Sequence, residues 1–316
     1  MDLGLLAVAV GIGVVVGLTG MGGGALMTPT LVLFFGVPPL TAVSSDVVAS
    51  AAMKPAGSWV HMRNGTVNWR LVRLLVYGSV PAAFGGVLVA HWMGPGPEVQ
   101  SLVKHALGIV LMIASLGLGV RAYLRLRERA MARDGRVAPL PRERPEVVAR
   151  PVPTIIVGVI GGLMVGLTSV GSGSLIIIAL MALYPALKAS QLVGTDLVQA
   201  VPLVIAAAIA HLMFGDVDWS IALPIILGSV PGAYLGAQLS SRIGGGLVRR
   251  ALAIILFVAG LALLGVSGQW VLLALVAIGV GGTLTWAWIR HSMGFHLFTF
   301  QERRAEKARA DTMEAP

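Results

Sequence analysis

The chain contains no cysteine among its 316 residues. That absence removes disulfides, thiolate metal centres and cysteine nucleophiles together. Charge is scarce as well: 12% of residues are Asp, Glu, Lys or Arg, against about 25% in a soluble domain, and 56% are hydrophobic. A soluble chain this apolar could not cover its own surface. The first twenty residues, MDLGLLAVAVGIGVVVGLTG, lack a basic n-region and a small-x-small cleavage site, so a cleaved signal peptide is not expected. No nucleotide-binding motif occurs. The GMGGG run at 20–24 sits in no βαβ context and is no dinucleotide fingerprint. No cofactor and no bound metal are expected. The net charge of +9 comes mostly from one loop and the C-terminal tail, not from a folded basic face, so no nucleic-acid partner is expected.

What is abundant is apolar sequence punctuated by 41 Gly and 17 Pro, a combination common in membrane helices. Apolar runs fall at 3–19, 25–36, 41–62, 69–93, 99–121, 153–169, 174–184, 189–213, 219–241, 249–267 and 270–290. About 20 residues cross a bilayer core, so most runs are long enough. Two are not: 25–36 and 174–184 make only about 17 Å of helix at 1.5 Å per residue. Each short run follows a longer one across a break, GLTGMGGGAL at 17–26 and GLTSVGSGSL at 166–175.

The breaks belong to an internal repeat. Gly17, Leu18, Thr19, Gly22 and Gly24 recur 149 residues later as Gly166, Leu167, Thr168, Gly171 and Gly173. After one inserted residue near Pro185 the offset becomes 150, and Asp46, His61, Gly65, Val67 and Trp69 match Asp196, His211, Gly215, Val217 and Trp219. GSVPAAFGG at 78–86 likewise matches GSVPGAYLG at 228–236.

Loop charges orient the two halves. The Arg- and Pro-rich stretch 121–150 is expected inside, and 93–98, without Lys or Arg, outside. The loop after His61, with Arg63 and Arg70, then lies inside, while the acidic loop FGDVD at 214–218 lies outside. Equivalent loops on opposite sides indicate inverted halves, provided each Gly-rich segment is a hairpin returning to the side it entered. The alternative, one broken span per Gly-rich segment and parallel halves, puts a basic loop outside or an acidic one inside.

The expected fold is thus an all-α polytopic membrane protein of two inverted-topology repeats. Each repeat has a Gly-rich broken-helix hairpin plus three spanning helices, and one extra C-terminal helix follows. Its expected divisions are a first repeat at 1–122, a cytoplasmic linker at 123–152, a second repeat at 153–267, and the extra helix with a charged cytoplasmic tail at 268–316.

Irregular backbone at membrane depth survives only when buried in protein or lining a wet cavity. Helix N-termini at such breaks suit an anion, and glycine lets a ligand approach the backbone. Gly22, Gly23, Gly24, Gly171, Ser172, Gly173 and Ser174 are therefore substrate-site candidates, against the plainer reading that small residues allow close helix packing. Asp46 and Asp196, near the starts of long apolar helices, are coupling candidates or first-turn caps. Ser45, Thr195 and Gln199 add polar groups beside them. Lys54, whose repeat counterpart is Val204, is placed to pair with Asp46 or to meet an anionic substrate, unless it snorkels to the interface. His61 and His211 read as interfacial structural residues, Trp69 and Trp219 as interfacial anchors, and Pro81 and Pro231 as helix kinks.

The segments GLTGMGGGALMTPTLVLFFGVPPLTAVSSD, MKPAGSWVHMRNGTVNWR and GLTSVGSGSL, with G-x-V-x-W in both halves, resemble the TauE/SafE family of sulfite exporters and permeases over residues 5–267. The resemblance implies a multi-pass carrier in the bacterial or archaeal inner (plasma) membrane, for a small anion such as sulfite, a sulfonate or another organic or sulfur-containing anion. Its expected partners are that solute, membrane lipid and, left open, further copies of the chain. Anion sites would form where the two hairpin tips meet, helped by Lys54, with Asp46 or Asp196 coupling movement to protons.

Two other classes deserve comparison. An intramembrane aspartyl protease would use Asp46 and Asp196 as a dyad, but GTD is not G-x-G-D, no Tyr precedes Asp46, and inverted halves set the two acids at different depths. An ion channel would need a selectivity-filter loop, and none is repeated here.

Overall fold

A computed structural model describes residues 2–19, 23–63, 65–94, 96–133, 148–173, 175–185, 187, 189–239 and 245–295. The described residues form helices and no strand, with one isolated bridge between Gly171 and Gly173. The helices are α1 (Leu3–Thr19), α2 (Gly24–Phe34), α3 (Pro39–Arg63), α4 (Trp69–Trp92), α5 (Pro97–Arg133), α6 (Pro151–Thr168), α7 (Leu175–Leu183), α8 (Ala189–Phe214), α9 (Trp219–Leu239), α10 (Gly245–Leu263) and α11 (Gly268–Ser292). Each of the eleven apolar runs has become one helix. Six of these are long and apolar enough to cross a membrane, within α4, α5, α6, α8, α9 and α11. The chain is a multi-pass membrane protein.

Two compact units divide the chain: Met1–Leu118 with Pro145–Val266, and Gly119–Arg144 with Ser267–Pro316. The first contains both repeats. In the second, α11 keeps large side chains such as Trp270, Leu272 and Trp288 exposed. That exposure suits lipid contact for a helix with no charge before Arg290.

Within the first unit the repeats exchange partners: α1 packs on α9, and its counterpart α6 packs on α4. Glycine makes both contacts possible. A Cβ on Gly158, Gly162 or Gly166 would lie 2.5, 2.2 or 2.3 Å from the carbonyl oxygens of Leu75, Ser79 and Ala83. In the other pair, a Cβ on Gly228, Gly232 or Gly236 would lie 2.8, 2.4 or 2.1 Å from those of Leu6, Val10 and Val14. Both series climb together at four-residue steps, so each pair runs parallel. Where helices have no hydrophobic drive toward one another, such backbone approach through small residues is what holds them.

The central pair is α3 and α8. Near the start of α3, Thr41 bonds Asp216 and Ser44 bonds His211, both at the end of α8. Near the other end, the loop residue Thr66 packs on Gly194, one turn into α8. These two equivalent helices therefore run antiparallel. The following loops are pinned in the same way in each repeat. The Asn68 N–H donates to Thr195 Oγ1 at 3.0 Å, and the Asp218 N–H donates to Ser45 Oγ at 3.1 Å. Asn68 and Asp218 also cap the helices they precede, accepting from the N–H groups of Leu71 and Ser220.

Candidate functional site

The second break is built by local bonds. α6 stops at Thr168, and Ser169 turns into the left-handed region at φ 60°. Glycine is usual at such a helix end, so a serine there signals that its side chain is needed. The Thr168 hydroxyl donates its one hydrogen to Met164 O at 2.6 Å, with Val170 O also in reach at 3.0 Å, and accepts from Val170 N, which gives that amide a partner at the break. Gly171 and Gly173, with φ of 150° and 94°, complete the turn into α7. Gly24, at the start of α2, presses on this break: a Cβ there would lie 2.2 Å from the Ser169 carbonyl oxygen. The two Gly-rich segments thus touch. Gly23 precedes α2 and borders the side chain of Met53. Gly22 and Ser174 lie outside the described residues.

Charged side chains from α3 reach this break. Asp46 Oδ2 accepts from Ser169 Oγ and from Thr28 Oγ1 on α2, each at 2.7 Å. Two turns on, Lys54 Nζ donates to Ser172 Oγ at 2.6 Å. Asp46 is 2% exposed and Lys54 5%, so Lys54 does not snorkel to an interface. Nor does it form a direct ion pair with Asp46; it lies within Coulombic reach of both Asp46 and Asp196 and spends its hydrogen bond on the opposite repeat. On α8, Gln199 Nε2 donates to Asp196 Oδ1 at 3.0 Å, while Gln199 Oε1 accepts from Ser79 on α4 at 3.2 Å. Asp196 and Gln199 are fully buried.

Both acids sit two turns inside helices that begin at Pro39 and Ala189, so neither is a cap. Asp46 accepts from Ser169 and Thr28, and Asp196 accepts from Gln199, so the two acids have different donors. Ser45 and Thr195 bond the loop amides described above, not Asp46, Lys54 or Gln199. His211, in the last turn of α8, is held by structural bonds. It is buried, bonding Ser44 through Nδ1 and the Gly166 carbonyl through Nε2. His61, partly buried, bonds Thr66.

Sequence reasoning passed over Thr28, Ser79 and Ser169. A signal was present for Ser169, since Gly20 stands at its repeat position and a side chain there breaks the glycine pattern.

Chemically, the crossing sets one ammonium against two buried carboxylates. Unpaired charge in such surroundings is costly, and a single proton on either acid balances the set. Against Asp46 lies a cavity of about 10 Å³, roughly one water, which is too small for an oxyanion. A groove of about 500 Å³ beside Leu5, Leu31, Phe35 and Trp219 includes none of the candidate residues in its lining.

The family described as "Sulfite exporter TauE/SafE" matches residues 5–263, from the start of α1 to the end of α10. The chain belongs to the TauE/SafE family. Among its relatives in that membrane-transporter family is the Bacillus subtilis (strain 168) "Probable membrane transporter protein YjnA", 38% identical over 265 residues, which are 84% of this chain and 100% of that protein. A second from the same organism, "Probable membrane transporter protein YdhB", is 24% identical over 80% of this chain and 96% of its own length. A "Probable membrane transporter protein" of Xylella fastidiosa (strain 9a5c) is 29% identical over 73% of this chain and 82% of its own. No solved structure matches the chain at a significant level. α11 lies beyond the residues the TauE/SafE match covers.

Proposed function

We propose that this TauE/SafE protein is a secondary carrier, not an enzyme, for a small sulfur-containing or organic anion such as sulfite or a sulfonate, in the inner membrane. The observation that carries the reading is the buried Lys54 ammonium, hydrogen-bonded into the Gly-rich break of the opposite repeat. A cation held there at full cost suits a site that must receive an anion. The substrate site comprises Lys54 and the two breaks, with Gln199 close by. Asp46 or Asp196 couples transport to protons, because one proton balances the buried charges. The described conformation is closed, and the anion enters when the two breaks part.

The carrier is built of inverted repeats at 1–122 and 153–267, joined by a cytoplasmic linker at 123–152 and followed by a tail segment at 268–316. Helix directions support the inversion. α1 parallels α9, α9 follows α8 around a short loop, and α8 opposes α3; α1 and α3 thus share a direction, and α2 must return between them. Likewise α6, parallel to α4, shares the direction of α8, and α7 must return. Each break is then the tip of a hairpin, as in carriers whose half-helices meet at the midplane.

Sulfite uptake into proteoliposomes containing the purified chain tests the reading. Saturable uptake that Lys54→Ala slows by about tenfold or more is expected. Uptake no faster than in empty liposomes, for sulfite and a panel of sulfonates and thiosulfate, would remove it.

A further inference from the structure

The cavity against Asp46 has a counterpart position in the second repeat, where a glutamine amide lies between the equivalent residues. Three of its walls are repeat-related: Asp46 with Asp196, Ser229 with Ser79, and Ala49 with Gln199. In the second repeat the Gln199 amide spans the other two, donating to Asp196 and accepting from Ser79. In the first repeat alanine stands at that position and lines the cavity, and no amide reaches Asp46 from it. Two more buried groups face it. Ser50 and Ser229 are 3% and 4% exposed, line the cavity, and make no hydrogen bond among the described residues. A hollow lined only by hydrocarbon stays dry, but two unpartnered hydroxyls and a carboxylate give one water the two to four partners it needs.

We propose that this cavity holds a single water in place of the Gln199 amide, and that the water makes Asp46, rather than Asp196, the carboxylate that takes up and releases a proton. The assignment of a coupling role to that proton rests on the carrier reading above. A water both accepts and donates, so it can pass a proton to Asp46 and be replenished through the hydroxyls of Ser50 and Ser229. The amide of Gln199 holds its hydrogens and offers Oδ1 of Asp196 no such exchange. The charged neighbours are few. Lys54 shares α3 with Asp46; Asp196 on α8 acts on Lys54; and His211 on α8 bonds Ser44, two residues before Asp46. The walls supplied by α1, α2 and α9 carry no titratable side chain.

The test is a pH titration of the purified full chain in detergent, read by difference infrared spectroscopy at the carboxylic C=O stretch. The wild type is compared with Asp46→Asn, Asp196→Asn and Ala49→Gln. A titrating band in the wild type is expected, lost in Asp46→Asn and kept in Asp196→Asn. Ala49→Gln, which installs the amide in the cavity, should shift the midpoint by at least about one pH unit, a tenfold change in proton affinity. Asp46→Asn keeps an acceptor for Thr28 and Ser169, and Ala49→Gln decides the question independently if that variant does not fold. No band in the wild type, loss in Asp196→Asn, or an unshifted Ala49→Gln would overturn the proposal. So would a band that moves when sodium chloride replaces choline chloride at fixed pH, which would mark a cation in the cavity. Sulfite flux in the same preparations separates the two readings: no flux with the expected infrared pattern removes the carrier and leaves Asp46 as the exchanging acid.

Discussion

Lys54 on α3 donates its hydrogen bond to Ser172, a residue of the other repeat's break, at 2.6 Å. The mirror bond does not exist. Val204 stands where a second lysine would be, and Gly23 where a second serine would be. Two halves built to one plan thus meet in an asymmetric polar crossing, and the first expectation concerns that asymmetry.

Lys54→Ala and Lys54→Met should each slow sulfite uptake by about tenfold or more, since a hydrogen bond to a charged group contributes about 1.5–3 kcal/mol. Lys54→Arg should retain part of the activity, because it keeps the charge while changing the shape of the donor. Initial rates in proteoliposomes measure both. Full activity in Lys54→Met would take Lys54 out of the substrate path.

Asp46→Ala should lower stability by about 1–3 kcal/mol, because it strands the buried hydroxyls of Thr28 and Ser169. Asp46→Asn should cost less, since an amide oxygen still accepts both. Thermal unfolding in detergent, followed by circular dichroism, ranks the two. Equal losses would mean that the charge of Asp46, and not its acceptor oxygen, holds the break.

Gly162→Ala and Gly13→Ala test the exchanged helix pairs at repeat-related positions. Their added Cβ atoms would meet Ser79 O and Ser229 O at 2.2 and 2.5 Å. Each should cost about 1–3 kcal/mol as the helices are pushed apart. Gly281→Ala on α11, where nothing lies within 4 Å, should leave the first unit unaffected and favour its own helix by about 0.5–1 kcal/mol. The same unfolding curves give all three values.

Asn68→Ala and Asp218→Ala remove the repeat-related caps of α4 and α9, each at about 0.5–2 kcal/mol. Only the second loss should depend on pH. The Ser220 hydroxyl and backbone N–H hold the Asp218 carboxyl below its ordinary value of 3.8. A depressed value means the contribution is fully present above the ordinary carboxylate range and fades as pH falls through the lowered one. Unfolding midpoints of Asp218→Ala and wild type should therefore converge in acid, whereas the Asn68→Ala deficit should persist.

Much of this architecture was legible because hydrophobic periodicity and length act locally. The apolar runs are helices within a few residues of their expected bounds, α5 apart, and the GLT and Asp46/Asp196 matches mark equivalent positions in the sequence alone. α5 runs on to Arg133 past an apolar run ending at 121, so the Arg-rich stretch begins as a helical extension. Hydropathy reports where lipid ends, but a helix ends only where its backbone bonds do, and the Ala-, Leu- and Arg-rich stretch after 121 has the propensity to continue.

The site was legible in its inventory and not in its pairing. Lys54, Asp46, Asp196 and Gln199 stood out because polar groups in apolar helices are expensive. That Lys54 would choose Ser172 over Asp46, or that His211 would join Ser44 to the Gly166 carbonyl, depends on partners 118, 167 and 45 residues away, which no local pattern encodes. By itself the sequence determined a repeated, all-helical membrane chain with Gly-rich breaks, because composition, length and offset are properties of the string. Only the tertiary structure decided which helices exchange partners, and that a hollow of one water's size lies beside Asp46 while the Gln199 amide meets Asp196. Close packing joins residues far apart in the chain, and whether a small side chain leaves a hollow is settled by everything that surrounds it.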